Sequence, residues 1–134
     1  MAYVMKHLVS KVVRKASHLL RGDKSAGFTK VSYSQTGEDL IVDFIFQVRG
    51  IQKPTYIDIG AFQPEFLSNT AFFYKKGCRG VNVEPNPEAI KLFHTKRPGD
   101  VNLNVGVSDQ VGVLEYHFMS IPTMNTFDPA AARE

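Results

Sequence analysis

The segment Tyr56-Ile57-Asp58-Ile59-Gly60-Ala61-Phe62 narrows the choice of fold more than any other stretch of these 134 residues. Pro54 precedes a run of β-branched and aromatic residues, Thr55 to Ile59, that reads as a buried strand. The strand closes on an acid and a glycine, and Gly60 lets the backbone turn where a side chain would obstruct. Ser68 and Asn69 serve equally as caps of a following helix or as ligand contacts. Strand, acid, glycine, loop and helix, in that order, lay out a pocket at the carboxyl end of a parallel strand. The further glycines of GxGxxG and the Gly-Lys-Ser/Thr of a P-loop are missing. A pyrophosphate ligand is therefore not expected, and Asp58 is read as standing beside a ligand of another kind. An ordinary strand end would carry the same residues.

The same layout recurs downstream. Val81-Asn82-Val83-Glu84 reads as a second strand closed by an acid, followed by Pro85-Asn86-Pro87. Asp58 and Glu84 are 26 residues apart, near the offset of about 20 at which an acid on the next strand meets ribose hydroxyls. A carboxylate suits that role because it accepts from two neighbouring hydroxyls at once. Thr70 to Lys76 is the crossover helix, with Gly77 as its terminal glycine. Pro87 opens a second helix that runs to Lys96. Val101 to Val107 is a third strand, ending at Ser108-Asp109. Val113 to Phe118 alternates and is expected to pair with it as a hairpin. Asp128-Pro129 is expected to start a further helix. Three such units argue for a right-handed βαβαβ half-sheet, with Asp58/Gly60, Glu84/Asn86 and Ser108/Asp109 converging on one crevice.

Upstream, apolar spacing predicts a helix over Gly37 to Val48, and Glu38 and Asp39 in its first turn suit the helix dipole. Gln35 has no such account and is read as facing the pocket. Residues 1–31 form a separate basic segment ahead of a domain over 32–134. Seven basic residues and one acid lie in the first thirty, a net +6; nine basic and twelve acidic residues follow, a net −3. The basic excess thus belongs to the leader, and a nucleic-acid face on the domain is not supported. Met1 to Leu20 reads as an amphipathic helix, lying on an anionic membrane surface or packing as a solvated helix. Its lysines exclude a membrane span, and Gly22 to Gly27 is a linker. The single cysteine, Cys78, allows no internal disulfide, fits a cytoplasmic compartment and suits a packing role. The four histidines show no metal-ligand spacing, and no metal is expected.

One resemblance gathers these features. Tyr33-Ser34-Gln35 with Gly37-Glu38-Asp39, then Tyr56 to Ala61, Ser68-Asn69-Thr70, Tyr74 to Gly77, Arg79-Gly80, Val83 to Pro87, and Asn104 to Asp109 resemble the FkbM family of S-adenosylmethionine-dependent methyltransferases. The likeness covers roughly Ser32 to Thr126, with its motifs in family order. It implies an α/β, Rossmann-like class I methyltransferase fold, here truncated after the third strand and its hairpin. It implies S-adenosyl-L-methionine as cofactor and methyl transfer to an oxygen of a small, sugar-like acceptor. Asp58, Gly60 and Ala61 would line the methionine side, with Phe62, Ser68 and Asn69 nearby. Glu84 would hold the ribose hydroxyls, flanked by Pro85 and Asn86, and Ser108 and Asp109 would lie near the adenine. Gln35 and Glu38 would close the pocket. No residue stands out as the catalytic base. The family domain continues with further strands, so residues up to Glu134 are expected to form the cofactor half. A non-catalytic binding or membrane-peripheral module is the alternative.

Overall fold

The computed structural model describes residues 29–133. The chain divides into two compact units, Met1–Val31 and Ser32–Glu134. The leader helix expected over Met1 to Leu20 and the linker over Gly22 to Gly27 lie outside the described residues. The second unit is an α/β arrangement in the order α1 (Glu38–Val48), β1 (Tyr56–Ile59), α2 (Ala71–Lys75), β2 (Gly80–Val83), α3 (Pro87–Lys96) and β3 (Val101–Leu103). Two 3-10 turns, Pro122–Met124 and Ala131–Arg133, follow. The three strands form one parallel sheet in the order β1-β2-β3. Among the described residues no helix is long and apolar enough to cross a membrane.

Local chemistry accounts for these boundaries. Helix α1 begins after Gly37, at φ +93°, and the Ser34 hydroxyl accepts from the amides of Gly37 (3.1 Å) and Asp39 (3.4 Å). Asp39 does more than suit the helix dipole. Its buried carboxylate accepts from the Tyr33 amide (2.8 Å) and the Ser32 (2.7 Å) and Ser34 (3.0 Å) hydroxyls. Burial pushes that carboxyl up, but the hydrogen bonds outweigh it and hold the group below its usual range. Helix α2 follows Thr70 as its N-cap, and its first amide, that of Ala71, donates to the Ser68 hydroxyl at 3.2 Å, while Asn69 is exposed. Gly77, at φ +87°, closes it in the left-handed conformation that favours glycine. Helix α3 has Pro87 at its first position and the Asn86 side chain accepting from the Glu88 amide at 3.0 Å.

Register sorts the sheet into two unlike faces. Tyr56 pairs with Gly80, Asp58 with Asn82 and Asn82 with Asn102, so these residues share one face. That polar face lies under α2 and the end of α3, and Arg97 fills the space between. Arg97 is only 1% exposed. Its guanidinium donates to Asp100 (3.0 Å), the Tyr56 hydroxyl (2.9 Å) and the Thr70 hydroxyl (3.0 Å). Asp100 also accepts from the Tyr56 hydroxyl, the Gly80 amide (2.8 Å) and Asn82 (3.0 Å). Gly80 is required here, because a Cβ at this position would stand 2.2 Å from the Tyr56 ring. The other face carries Ile57, Ile59, Val81, Val83, Val101 and Leu103. Ile57 is 70%, Ile59 63% and Val101 56% exposed. Parallel sheets usually cover both faces; among the described residues the polar face is enclosed, while Ile57, Ile59 and Val101 of the apolar face are exposed. The apolar core lies between the tip of β1 and α3, where Ala61, Ile90 and Phe93 meet.

Three expectations are corrected. The third strand, expected over Val101 to Val107, ends at Leu103. Its partner β2 stops at Val83, and Asn104 instead donates to the carbonyls of Glu84 and Pro85, both at 2.9 Å. With no strand over 104–112 to pair against, the hairpin strand Val113 to Phe118 does not form. A single antiparallel bridge, His117 with Thr126, stands in its place. Asp128-Pro129 leads only into the short turn Ala131–Arg133, with the Asp128 carboxylate accepting from the Ala130 amide at 2.8 Å.

Replacing Arg97 by Met would strand the Asp100 carboxylate in a dry site and should lower unfolding free energy by about 3–5 kcal/mol. Urea denaturation followed by circular dichroism reads this out. Lys91→Met, which breaks only the exposed pair with Glu88, should change it by less than about 0.5 kcal/mol.

Candidate functional site

The site begins where β1 gives way to its loop. Gly60 turns at φ +70°, and the amides of Gly60 (2.9 Å) and Ala61 (3.1 Å) both donate to the Val83 carbonyl. The tip of β1 is thereby folded over the end of β2. Phe62 follows at φ +55°, a left-handed conformation that costs a non-glycine residue on the order of 1 kcal/mol. What that backbone achieves is direction: the Phe62 amide points at Glu84 and donates to Oε2 at 2.8 Å. The other oxygen of Glu84 accepts from the Asn86 amide, also at 2.8 Å. Hydrogen bonds to a charged group contribute about 1.5–3 kcal/mol, enough to offset the turn. Glu84 is 4% exposed and joins the β1 tip to the start of α3.

Beside this carboxylate lies a cavity of about 220 Å³. Its apolar side is Ile59, Val83 and Val105, and its polar side is Glu84 and Asn86. The opposite wall comes from the carboxyl-terminal tail as Tyr116, Asn125 and Phe127. The His117–Thr126 bridge, with backbone bonds of 2.8 and 3.2 Å, brings both ends of that clip together. Inside the clip, Asn125 Oδ1 accepts from the Met119 amide at 2.8 Å. The Tyr116 ring stands 4.9 Å from Phe127 and 5.0 Å from Phe118, centroid to centroid. Phe127 rests on the bare backbone of Gly106, where a Cβ would come within 2.5 Å of its ring. Burial raises the Tyr116 phenol above its ordinary range, a hydrogen bond from Asn125 works against this, and the Glu84 charge adds to the rise.

The residues singled out in the sequence are distributed unevenly about this cavity. Gly60, Phe62, Glu84, Pro85 and Asn86 line it together. Ala61 is buried instead against Ile90 and Phe93. Asp58 lies on the opposite, polar face of β1, where it accepts from the Thr70 hydroxyl at 2.5 Å, so it does not form a wall of this cavity. Ser68 is buried with Arg97 and accepts from the Ala71 amide at the start of α2. Asn69 and Gln35 are exposed and belong to no part of the cavity wall. Glu38 accepts from the Thr36 hydroxyl (2.7 Å) and amide (2.9 Å), which hold its carboxyl down to about 2. Ser108 and Asp109 are exposed and hydrogen bonded to each other at 3.2 Å. The segment after β3 reaches the cavity through Val105, Gly106 and Val107, but Ser108 and Asp109 at its expected tip do not, and the tail supplies the opposite wall. Tyr116, Asn125 and Phe127 were not foreseen. The alternation around Tyr116 reads as a strand, and no periodicity links it to Phe127.

No protein-family model matches the chain, and neither does any curated protein or solved structure.

Two raised phenols, Tyr116 at the cavity and Tyr56 on the polar face of the sheet, give the protein a pH signature. Tyr56 is raised as well, by burial first and by its bond to Asp100. Both tyrosines then ionise at higher pH in the folded than in the unfolded chain. Their contribution to stability is fully present below about pH 10 and is lost as pH rises through the folded values. Urea unfolding across this range should show stability falling above about pH 10. Phenolate absorbance in Glu84→Gln should show Tyr116 ionising at lower pH than in the parent.

Proposed function

We propose that this chain is the cofactor-binding portion of an S-adenosylmethionine-dependent methyltransferase of the FkbM kind, acting on a hydroxyl of a small, sugar-like acceptor. The observation that carries the reading is Glu84. It is an acid at the tip of the central parallel strand, buried on a cavity wall, with its carboxylate fixed by two backbone amides. A carboxylate offers roughly four lone-pair directions; two are taken by Phe62 and Asn86, and two remain for the paired hydroxyls of a ribose. The order of motifs from Tyr33 to Asp109 supports the same reading.

Dimensions agree with it. Sites that enclose a whole small ligand run to roughly 300–1,000 Å³. The cavity here, about 220 Å³, suits a nucleoside-sized part of one, with the remainder outside. The Tyr116 and Phe127 rings offer a stacking face for a planar base. Gly60, with open space around its Cα, lets a ligand approach the backbone closely. When bound, S-adenosylmethionine supplies an electrophilic methyl group to an acceptor oxygen. The part played by these residues is to hold the donor in one pose, and orientation of this sort is a large share of the acceleration in a bimolecular transfer. Asp58, on the far face of β1, acts in this reading through the strand tip it braces.

Calorimetric titration with S-adenosylhomocysteine tests the proposal. The protein should bind it, and Glu84→Ala should weaken binding at least about tenfold. A parent protein that takes up no S-adenosylhomocysteine would overturn it. One observation favours the alternative of a non-catalytic binding module: the open apolar face carrying Ile57, Ile59 and Val101. That reading gains if S-adenosylhomocysteine is refused.

A further inference from the structure

We infer that one water molecule is a fixed part of the buried polar layer, bridging Asn82, Asp58 and Arg97. The inference comes from the enclosed face of the sheet and holds whatever the cavity beside Glu84 binds.

Asn82 is fully buried, and its Oδ1 is the one buried side-chain oxygen or nitrogen without a partner among the described residues. A buried acceptor left unpaired costs free energy comparable to a lost hydrogen bond, so such atoms are nearly always paired with protein or with ordered water. Turning the amide over does not help. Its Nδ2 donates to Asp100 at 3.0 Å and to Asn102 Oδ1 at 2.8 Å, and the reverse orientation would set an oxygen against both acceptors. The neighbouring donors are also committed. The Thr70 hydroxyl donates to Asp58, the Tyr56 hydroxyl to Asp100, and Asn102 Nδ2 to the carbonyls of Arg97 (3.2 Å) and Asp100 (3.4 Å).

The groups around this atom suit water. Asp58, Asn82 and Asn102 form one row across the three strands. Because Nδ2 faces Asn102, the planar amide turns Oδ1 away from β3, to the side of the row where Asp58 stands. Asp58 accepts through Oδ2 from Thr70, and its Oδ1 has no donor among the described residues. Thr70 also accepts from Arg97, which brings the guanidinium to the same place. A guanidinium carries five N–H groups. Those of Arg97 go to Asp100, Ser68, Tyr56 and Thr70, leaving one N–H of Nη1 over. A water placed here donates to Asn82 and Asp58 and accepts from Arg97, and three bonds is the usual complement of a buried water. The guanidinium charge repels a cation from this position, and among the described residues no group of His, Cys, Asp and Glu could hold a metal ion. The water ties β1 to β2 through side chains as well as backbone, and it links the strand tip that carries Gly60 to the Arg97 network.

A crystal structure of the full chain that shows ordered water, with water-to-protein cross-relaxation measured by NMR, tests this. Water should lie about 2.7–3.2 Å from Asn82 Oδ1 and from at least one of Asp58 and Arg97. Its residence should be long enough to give cross-relaxation of the sign that marks buried water. Asp58→Asn supplies an amide that donates to Asn82 Oδ1 directly while its own oxygen still accepts from Thr70, and it should expel the water. An Asn82 Oδ1 with no water beside it, or bonded directly to a protein group such as the Asp58 carboxyl, would overturn the inference. Exchange with bulk solvent too fast for cross-relaxation would do the same. Water retained in Asp58→Asn would overturn the bridge to Asp58. Should that variant not fold, the parent structure decides alone.

Discussion

A guanidinium shut away from water organises this small domain. Arg97 ends α3, yet its side chain reaches back beneath the sheet to Asp100, Tyr56 and Thr70. A buried charge is tolerated only when its partners are complete. Completing them fixes the positions of β1 through Tyr56, of the turn before β3 through Asp100, and of the α2 entry through Thr70 and Ser68. Aromatic faces finish the enclosure, since Tyr56, Tyr74 and Phe93 surround the guanidinium at 5.2–5.4 Å. The neighbouring Asn82 bridges Asp100 and Asn102 but leaves its own Oδ1 without a partner, the one such buried side-chain atom among the described residues. A sheet only three or four residues deep has little apolar area to hide, and directional bonds take over the task of setting register.

The cavity depends on that fixed register. Asp58 and Asn82 are neighbours on one face, which sends Ile59 and Val83 to the other, and these two form the base of the cavity. Beyond Val83 the chain turns, and Glu84 gathers the amides of Phe62 and Asn86. The acid thus has a structural and a recognition role at once. Neutralising it would loosen the β1 tip as well as remove a hydrogen-bond acceptor.

Much of the framework was legible because each signal was local. Pro87 and Asn86 set the start of α3, Gly77 the end of α2, and Pro54 the approach to β1. The apolar spacing of α1 placed that helix within one residue of where it stands. Its sense was not legible: Asp39 and Asp43 are buried, while Ile41, Phe44 and Ile45 are exposed. Asp43 pairs with Lys76, a residue 33 positions away that no helical period reveals. The end of β3 was misjudged for a similar reason, since Val105 and Val107 have strand-like side chains but no strand beside them. At the site, Gly60, Glu84 and Asn86 were legible from strand-tip chemistry. Tyr116, Asn125 and Phe127 were not, because one antiparallel bridge, without a periodic pattern, brings the tail to the wall.

The apolar side of the sheet, exposed among the described residues, has a consequence for how this protein would be handled at the bench. Dyes that brighten on apolar surfaces are a common gauge of a loosened, partly collapsed chain. With Ile57, Ile59, Val101 and Leu103 open to water in the ordered fold, such a dye would light up on correctly packed molecules. Its glow would report the architecture and not a loss of it, and sharp aromatic ellipticity or dispersed methyl resonances would be the sounder sign of folding.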